Sequence, residues 1–216
     1  MLTGMPPDVA NATNRVGVFL QCVVGIKGYR DHGKIEQSDM LPVLIPSLLG
    51  GGVGAVLATV LPTTLLKPLL LGTMIGVAFL ILAFPSVVAP PEGTPIRKVK
   101  GNYKAWAALF VSGIYGGFVQ AGVGFLLITA LAGTLRYDLV RSSAMKLICT
   151  AAFTALSLLI FIVGDLVSWI PGLVLAVGTM TGAALAVKLS LNISQKTMKW
   201  LLFIMTLAAS AAAMFL

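Results

Sequence analysis

The sequence predicts an all-α polytopic membrane protein made of two inverted repeats, with a broken or re-entrant glycine-rich helix opening the second repeat. Three observations carry that expectation. Of the 216 residues, 58% are hydrophobic and only 10% are charged, whereas soluble domains carry about 25% charged residues. Several apolar runs are long enough to cross a bilayer, which takes about 20 residues. Finally, Gly113, Gly116, Gly117, Gly122 and Gly124 crowd into one apolar stretch, and each interior glycine weakens a helix by about 1 kcal/mol relative to alanine.

Taken in order, a first apolar segment covers residues 9–26 and contains Asn11-Ala-Thr-Asn-Arg15. A polar loop is expected over residues 27–39, with the lone His32 as a solvated loop residue. A second span, 41–61, carries Gly50, Gly51, Gly52 and Gly54, a smooth face on which another helix can approach closely. A third span is expected over 65–84. Residues 90–104, rich in proline and in Arg97, Lys98, Lys100 and Lys104, join two halves. The remaining spans are placed at 140–163, 169–187 and 198–216, the last with Trp200 as an interfacial anchor. Residues 1–88 thus form a first repeat, 89–104 a basic cytoplasmic linker, and 105–216 a second repeat.

The repeat rests on matched landmarks. Arg15 and Lys146 sit at the heads of two spans, 131 positions apart; Gly50 and Gly54 match Gly178 and Gly182 at an offset of 128; Lys67 matches Lys199 at 132. Under this match the first half lacks a glycine-rich segment of its own. The expectation is a chain that is shortened at its start, assigned a late start, or completed by a partner subunit. Charge then sets the topology. If residues 103–135 enter the membrane and return, 13 of the 15 Lys and Arg residues fall on the side of the 90–104 loop, leaving only Arg15 and Lys67 opposite. If they cross once, the split is 7 against 8, and the preference for cytoplasmic positive charge disappears. The hairpin also makes the two halves inverted, as in many transporters.

Two readings of the glycine-rich stretch stay open from sequence. Two half-helices can meet at a break, with Gln120 the only amide side chain nearby and helix N-termini facing an anion. Alternatively, Gly113 and Gly117 serve close helix packing. Arg15 and Lys146 are the sharpest pair, because a cation in a membrane segment costs at least about 2.5–3.5 kcal/mol. With Asn11, Thr13, Asn14, Ser142 and Ser143 beside them they could form two halves of an anion site, or they could snorkel to headgroups. The candidate substrate-binding set is Thr13, Asn14, Arg15, Gly116, Gly117, Gln120, Gly122, Gly124, Ser142, Ser143 and Lys146.

Other chemistries find little support. No carboxylate falls in mid-span, so a carboxylate proton relay is not expected. An intramembrane His, paired Asp or Ser–His combination is lacking, so an enzyme, a metal or a cofactor is not expected. Ser112 and Ser157 are expected as packing hydroxyls, and Cys22 and Cys149 as buried thiols. The net charge of +8 is scattered between apolar runs, which points to lipid headgroups and not to nucleic acid.

The Asn11-Ala-Thr-Asn-Arg-Val segment and Gly113-Ile-Tyr-Gly-Gly-Phe-Val-Gln-Ala-Gly-Val-Gly-Phe resemble the sulfite exporter TauE/SafE family of bacterial membrane transporters, over essentially the whole chain. The resemblance implies a multi-pass protein of the bacterial inner membrane that moves small sulfur-containing anions such as sulfite, sulfoacetate or other organosulfonates. It also implies the glycine-rich motif in both halves; here it occurs once, interrupted by Gln120, Ala121 and Val123. The expected partners are the bilayer, a small anion, and a further copy or a completing subunit. The rival expectation is a non-transporting membrane subunit that assembles with or regulates another membrane protein.

Overall fold

A computed structural model describes residues 4–35, 39–62, 64–65, 72, 95–120, 122–194, 197, 200–201 and 204. The expected spans at 65–84 and 198–216, and the Lys67–Lys199 match, fall almost wholly outside these residues. All regular structure among the described residues is helical: α1 (Pro7–Asp31), α2 (Met40–Val60), α3 (Tyr103–Phe118), α4 (Val123–Ala130) continued by a π-helical turn (Leu131–Leu135), α5 (Leu139–Val163) and α6 (Trp169–Asn192). Four of them, α1, α2, α5 and α6, are long and apolar enough to cross a membrane. At about 1.5 Å per residue, the 16 residues of α3 extend only about 24 Å, short of the ~30 Å hydrocarbon core.

Helix ends follow local chemistry. Pro7 opens α1 with Asp8 in its first turn and Arg30 in its last, charges that complement the helix dipole. That helix runs through residues 27–31, which the sequence reading placed in a loop. It ends at Asp31, two residues before Gly33, whose φ is +64°. His32, exposed just past its end, bonds through Nδ1 to the Gly28 carbonyl at 2.8 Å. Asn102 caps α3 by accepting from the Ala105 N–H at 3.2 Å. Asp138 caps α5 by accepting from the Arg141 N–H at 2.8 Å. The start of α6 is tied to α1, since the Ser168 N–H donates to Thr13 Oγ1 at 3.0 Å; α6 continues to Asn192, five residues past its expected end.

The closest packing is between α2 and α3, and glycine makes it possible from both sides. A Cβ at Gly50 or Gly54 would stand 2.1 Å from the Phe110 carbonyl oxygen or 2.0 Å from that of Ile114. Reciprocally, a Cβ at Gly113 or Gly117 would stand 2.2 Å from the Ser47 oxygen or 2.0 Å from that of Gly51. Two small-xxx-small faces therefore meet backbone to backbone. The matched pair on α6 behaves differently: nothing among the described residues lies within 4 Å of a Cβ at Gly178 or Gly182.

Helix α1 packs along α6, and both α1 and α2 lie against α5 with little contact between them. The apolar core gathers where α2, α3, α4 and α5 converge, around Val43, Leu109, Leu127, Leu131, Leu135 and Phe153. Ser112 and Ser157 turn their hydroxyls back to the Ala108 and Phe153 carbonyls, each at 2.7 Å, and Cys22 and Cys149 are buried free thiols.

Because interior overpacking costs about 1–3 kcal/mol, Gly113→Ala and Gly54→Ala are expected to lower the thermal unfolding temperature in detergent. Gly178→Ala is expected to leave it unchanged or raise it. Equal responses of all three variants would contradict the α2–α3 contact.

Candidate functional site

The glycine-rich stretch is broken. Helix α3 stops at Phe118, Gln120 and Gly122 take left-handed conformations (φ 71° and 76°), and α4 starts at Val123. The far ends of the stretch meet: the Arg97 N–H donates to the Leu135 carbonyl at 2.9 Å, and Asn102 Nδ2 donates to that of Thr134 at 3.4 Å. Packing and breaking, which the sequence left as alternatives, divide the glycines between them. Gly113 and Gly117 touch α2, and Gly122 supplies the turn. Gly116 makes room for the Phe153 ring, which would lie 2.5 Å from a Cβ there.

A helix that ends inside a protein leaves its last carbonyls without intrahelical partners. Arg15 takes that role here. It is fully buried, and its Nη1 donates to the Gly116 carbonyl at 2.5 Å and to Gln120 Oε1, while Nη2 donates to the Gly117 carbonyl at 2.7 Å. Asn11 Nδ2 satisfies the next carbonyl, that of Phe118, at 2.8 Å, and its Oδ1 lies 3.5 Å from Arg15 Nη2. The Phe161 ring lies under the guanidinium at 5.5 Å, and Thr154 Oγ1 donates to Gln120 Oε1 at 3.3 Å. A cation belongs at this place, since the C-terminus of a helix carries about half a negative charge. With its oxygen engaged by Arg15 and Thr154, Gln120 keeps its side-chain N–H groups without a partner among the described residues.

Lys146 reaches the same break from α5, at its opposite pole. The side chain lies along Gly124: a Cβ there would be 3.3 Å from Lys146 Cδ and 3.7 Å from Nζ. Its ammonium therefore stands near the first turn of α4, the positive end of that helix dipole. Among the described residues no carboxylate lies within ion-pair distance of it. Lys146 also borders a cavity of about 300 Å³ with Tyr29, Ser143 and Ser190, in which the Tyr29 and Ser190 hydroxyls are hydrogen-bonded at 2.7 Å.

The other expected residues are scattered. Thr13 holds the start of α6, and Ser142, buried, donates to the Tyr137 carbonyl at 3.3 Å. Asn14 is partly buried and has no hydrogen-bond partner among the described residues. Thr154 and Phe161 escaped the sequence reading. For Thr154 a signal was present: Thr150, Thr154 and Ser157 recur at helical spacing and are all buried, a polar stripe on an otherwise apolar helix. Also unforeseen is a cluster at the start of α2 and α5. Asp39 Oδ2 accepts from Arg141 Nη2 and from the Tyr137 hydroxyl, both at 3.0 Å, and Arg141 stacks 4.3 Å over the Tyr137 ring. Burial, and then the bond to Asp39, push the Tyr137 hydroxyl pKa upward, so it remains a neutral donor.

The family profile described as sulfite exporter TauE/SafE matches residues 1–213. The chain belongs to the sulfite exporter TauE/SafE family. It is similar to a probable membrane transporter protein of Haemophilus influenzae, 24% identical over 98% of this chain and 82% of that protein. It is also similar to the probable membrane transporter protein YfcA of Escherichia coli K12, 25% identical over 100% of this chain and 79% of that one. No solved structure matches the chain. Membership of this family, with four apolar helices of spanning length, makes it an integral membrane protein of a transporter family, in contact with lipid.

If Arg15 holds the end of α3, Arg15→Lys is expected to cost about 1.5–3 kcal/mol, since one ammonium cannot reproduce the fork on charge-assisted bonds. Faster maleimide labelling of a Val119→Cys reporter in that background is the accompanying result; unchanged labelling and unfolding temperature would contradict the assignment.

Proposed function

We propose that this protein is a multi-pass transporter of the bacterial inner membrane that carries small sulfur-containing anions, sulfite and organosulfonates among them, with the anion held at the break between α3 and α4. In this reading residues 103–135 form a re-entrant hairpin. Neither of its arms is long enough to span, and its two ends are bonded together, which supports an excursion that returns to its own side of the membrane. The halves are inverted repeats in which α1 corresponds to α5 and α2 to α6. The matched cations Arg15 and Lys146, each on the opening turns of its helix, converge on the two poles of one break.

The observation that carries the proposal is the placing of Lys146. An ammonium beside a helix N-terminus sets two positive features side by side, and no carboxylate among the described residues relieves them. A bound anion relieves both, because the amides of a helix start and a lysine are complementary to the same negative charge. The ligands proposed are Lys146 Nζ, backbone amides of Gly122 and Gly124, and the side-chain N–H groups of Gln120. Ser143 lines the cavity that Lys146 borders. Arg15, with Gly116 and Gly117, is a positioning residue: its charge is spent on carbonyl oxygens, and without it the left-handed turn loses its charged anchor. Thr13 and Ser142 act at most through the helices they fix, and Asn14 is given no ligand role.

Reconstituted into proteoliposomes, the wild-type protein is expected to pass sulfite. Lys146→Gln is expected to reduce the flux at least tenfold with little change in unfolding temperature, the loss of about 1.4 kcal/mol or more expected when a charged hydrogen bond is removed. Sulfite flux undiminished in Lys146→Gln would contradict the proposed site.

A further inference from the structure

A second cavity lies outside the break altogether. The gap between α1 and α2, backed by α5, is a crevice of about 480 Å³. Phe19 and Ile26 form one wall, Met40 faces them from the start of α2, and Ala152 and Ala155 of α5 keep its floor low. Among the described residues a single charged group borders it: Arg30, in the last turn of α1. That guanidinium is exposed and has no hydrogen bond or ion pair among the described residues. Lys27 and Lys34 stand exposed on either side of it in sequence.

The dimensions identify what fits. From Arg30 to Phe19 along α1 is about 16 Å at the helical rise, close to the ~15 Å depth of one leaflet of a ~30 Å hydrocarbon core. The crevice is therefore apolar for one leaflet's depth and cationic only at the interfacial end. An amphipath with a negative head and one aliphatic tail matches that profile; a small hydrophilic anion matches only its mouth. We propose that this crevice holds one acyl chain of an anionic phospholipid, from the leaflet at the C-terminal end of α1, with the lipid phosphate on Arg30. The tail fills the space that α1 and α2 leave between them on α5, so the lipid acts as a wedge between two helices that otherwise share little contact.

The test uses the full chain purified in mixed micelles of phosphatidylglycerol and phosphatidylcholine, with bound lipid counted by native mass spectrometry. The wild-type protein is expected to retain phosphatidylglycerol over phosphatidylcholine. Arg30→Gln should lower phosphatidylglycerol occupancy about fivefold, the size of one interfacial contact between a basic residue and an anionic lipid. Lys27→Gln, one turn away and outside the crevice lining, should leave occupancy within about twofold of wild type. Ala152→Phe should lower retention of both lipids by filling the floor. Because Arg30 is exposed, its variant probes the headgroup contact without disturbing packed residues. Equal retention of the two lipids by the wild type, or unchanged occupancy in Arg30→Gln, overturns the proposal. So does thermal stabilisation by inorganic phosphate alone that matches the stabilisation by phosphatidylglycerol.

Discussion

One contact governs the rest of this molecule: a fully buried guanidinium closing the C-terminal carbonyls of a helix that stops inside the protein. Ending a helix at depth exposes acceptors that water cannot reach, and each unsatisfied group there costs several kcal/mol. Arg15 and Asn11, one turn apart on α1, answer three successive carbonyls, those of Gly116, Gly117 and Phe118. The interaction works in both directions. The carbonyls neutralise a charge that a membrane segment would otherwise resist, and the charge holds a backbone that would otherwise continue as a helix or fray. Phe161 beneath and Thr154 beside the cluster complete its seat.

From that contact the division of labour at the break follows. A break in a helix creates a negative pole and a positive pole a few ångströms apart. Arg15 occupies the first. Lys146 stands at the second, where it adds to the positive potential and does not cancel it. The two cations thus meet opposite poles of the break: one stabilises peptide oxygens, and the other is the group proposed above to draw a negatively charged solute. The family to which the chain belongs, and the names borne by its relatives, are those of membrane transporters.

Much of the architecture was legible in the sequence because membrane helices announce themselves by length and apolarity. The spans at α2 and α5 were located to within one residue at each end. The ends of α1 and α6 were missed by several residues, because Lys27, Arg30, Lys188 and Asn192 look like loop to hydropathy although helices readily carry polar residues beyond the apolar core. The glycines were the harder case. Gly113, Gly117 and Gly122 look identical in a string of letters, yet two of them admit a neighbouring backbone and one supplies a left-handed turn. Arg15 and Lys146 stood out by their cost. The partner of each depends on which helix end lies opposite, and that is a property of the assembled bundle alone.

The central claim is most directly tested by measuring the contact itself in a lipid bilayer. Solid-state dipolar recoupling between arginine side-chain nitrogens and glycine carbonyl carbons, labelled in the full-length protein in liposomes, reports the distance from Arg15 Nη1 and Nη2 to the carbonyls of Gly116 and Gly117. The account predicts strong dephasing for both, with separations of about 4 Å or less as hydrogen bonding requires, and its disappearance in Arg15→Lys. Dephasing absent from the wild-type protein, together with helical carbonyl shifts running unbroken through residues 116–124, would contradict it.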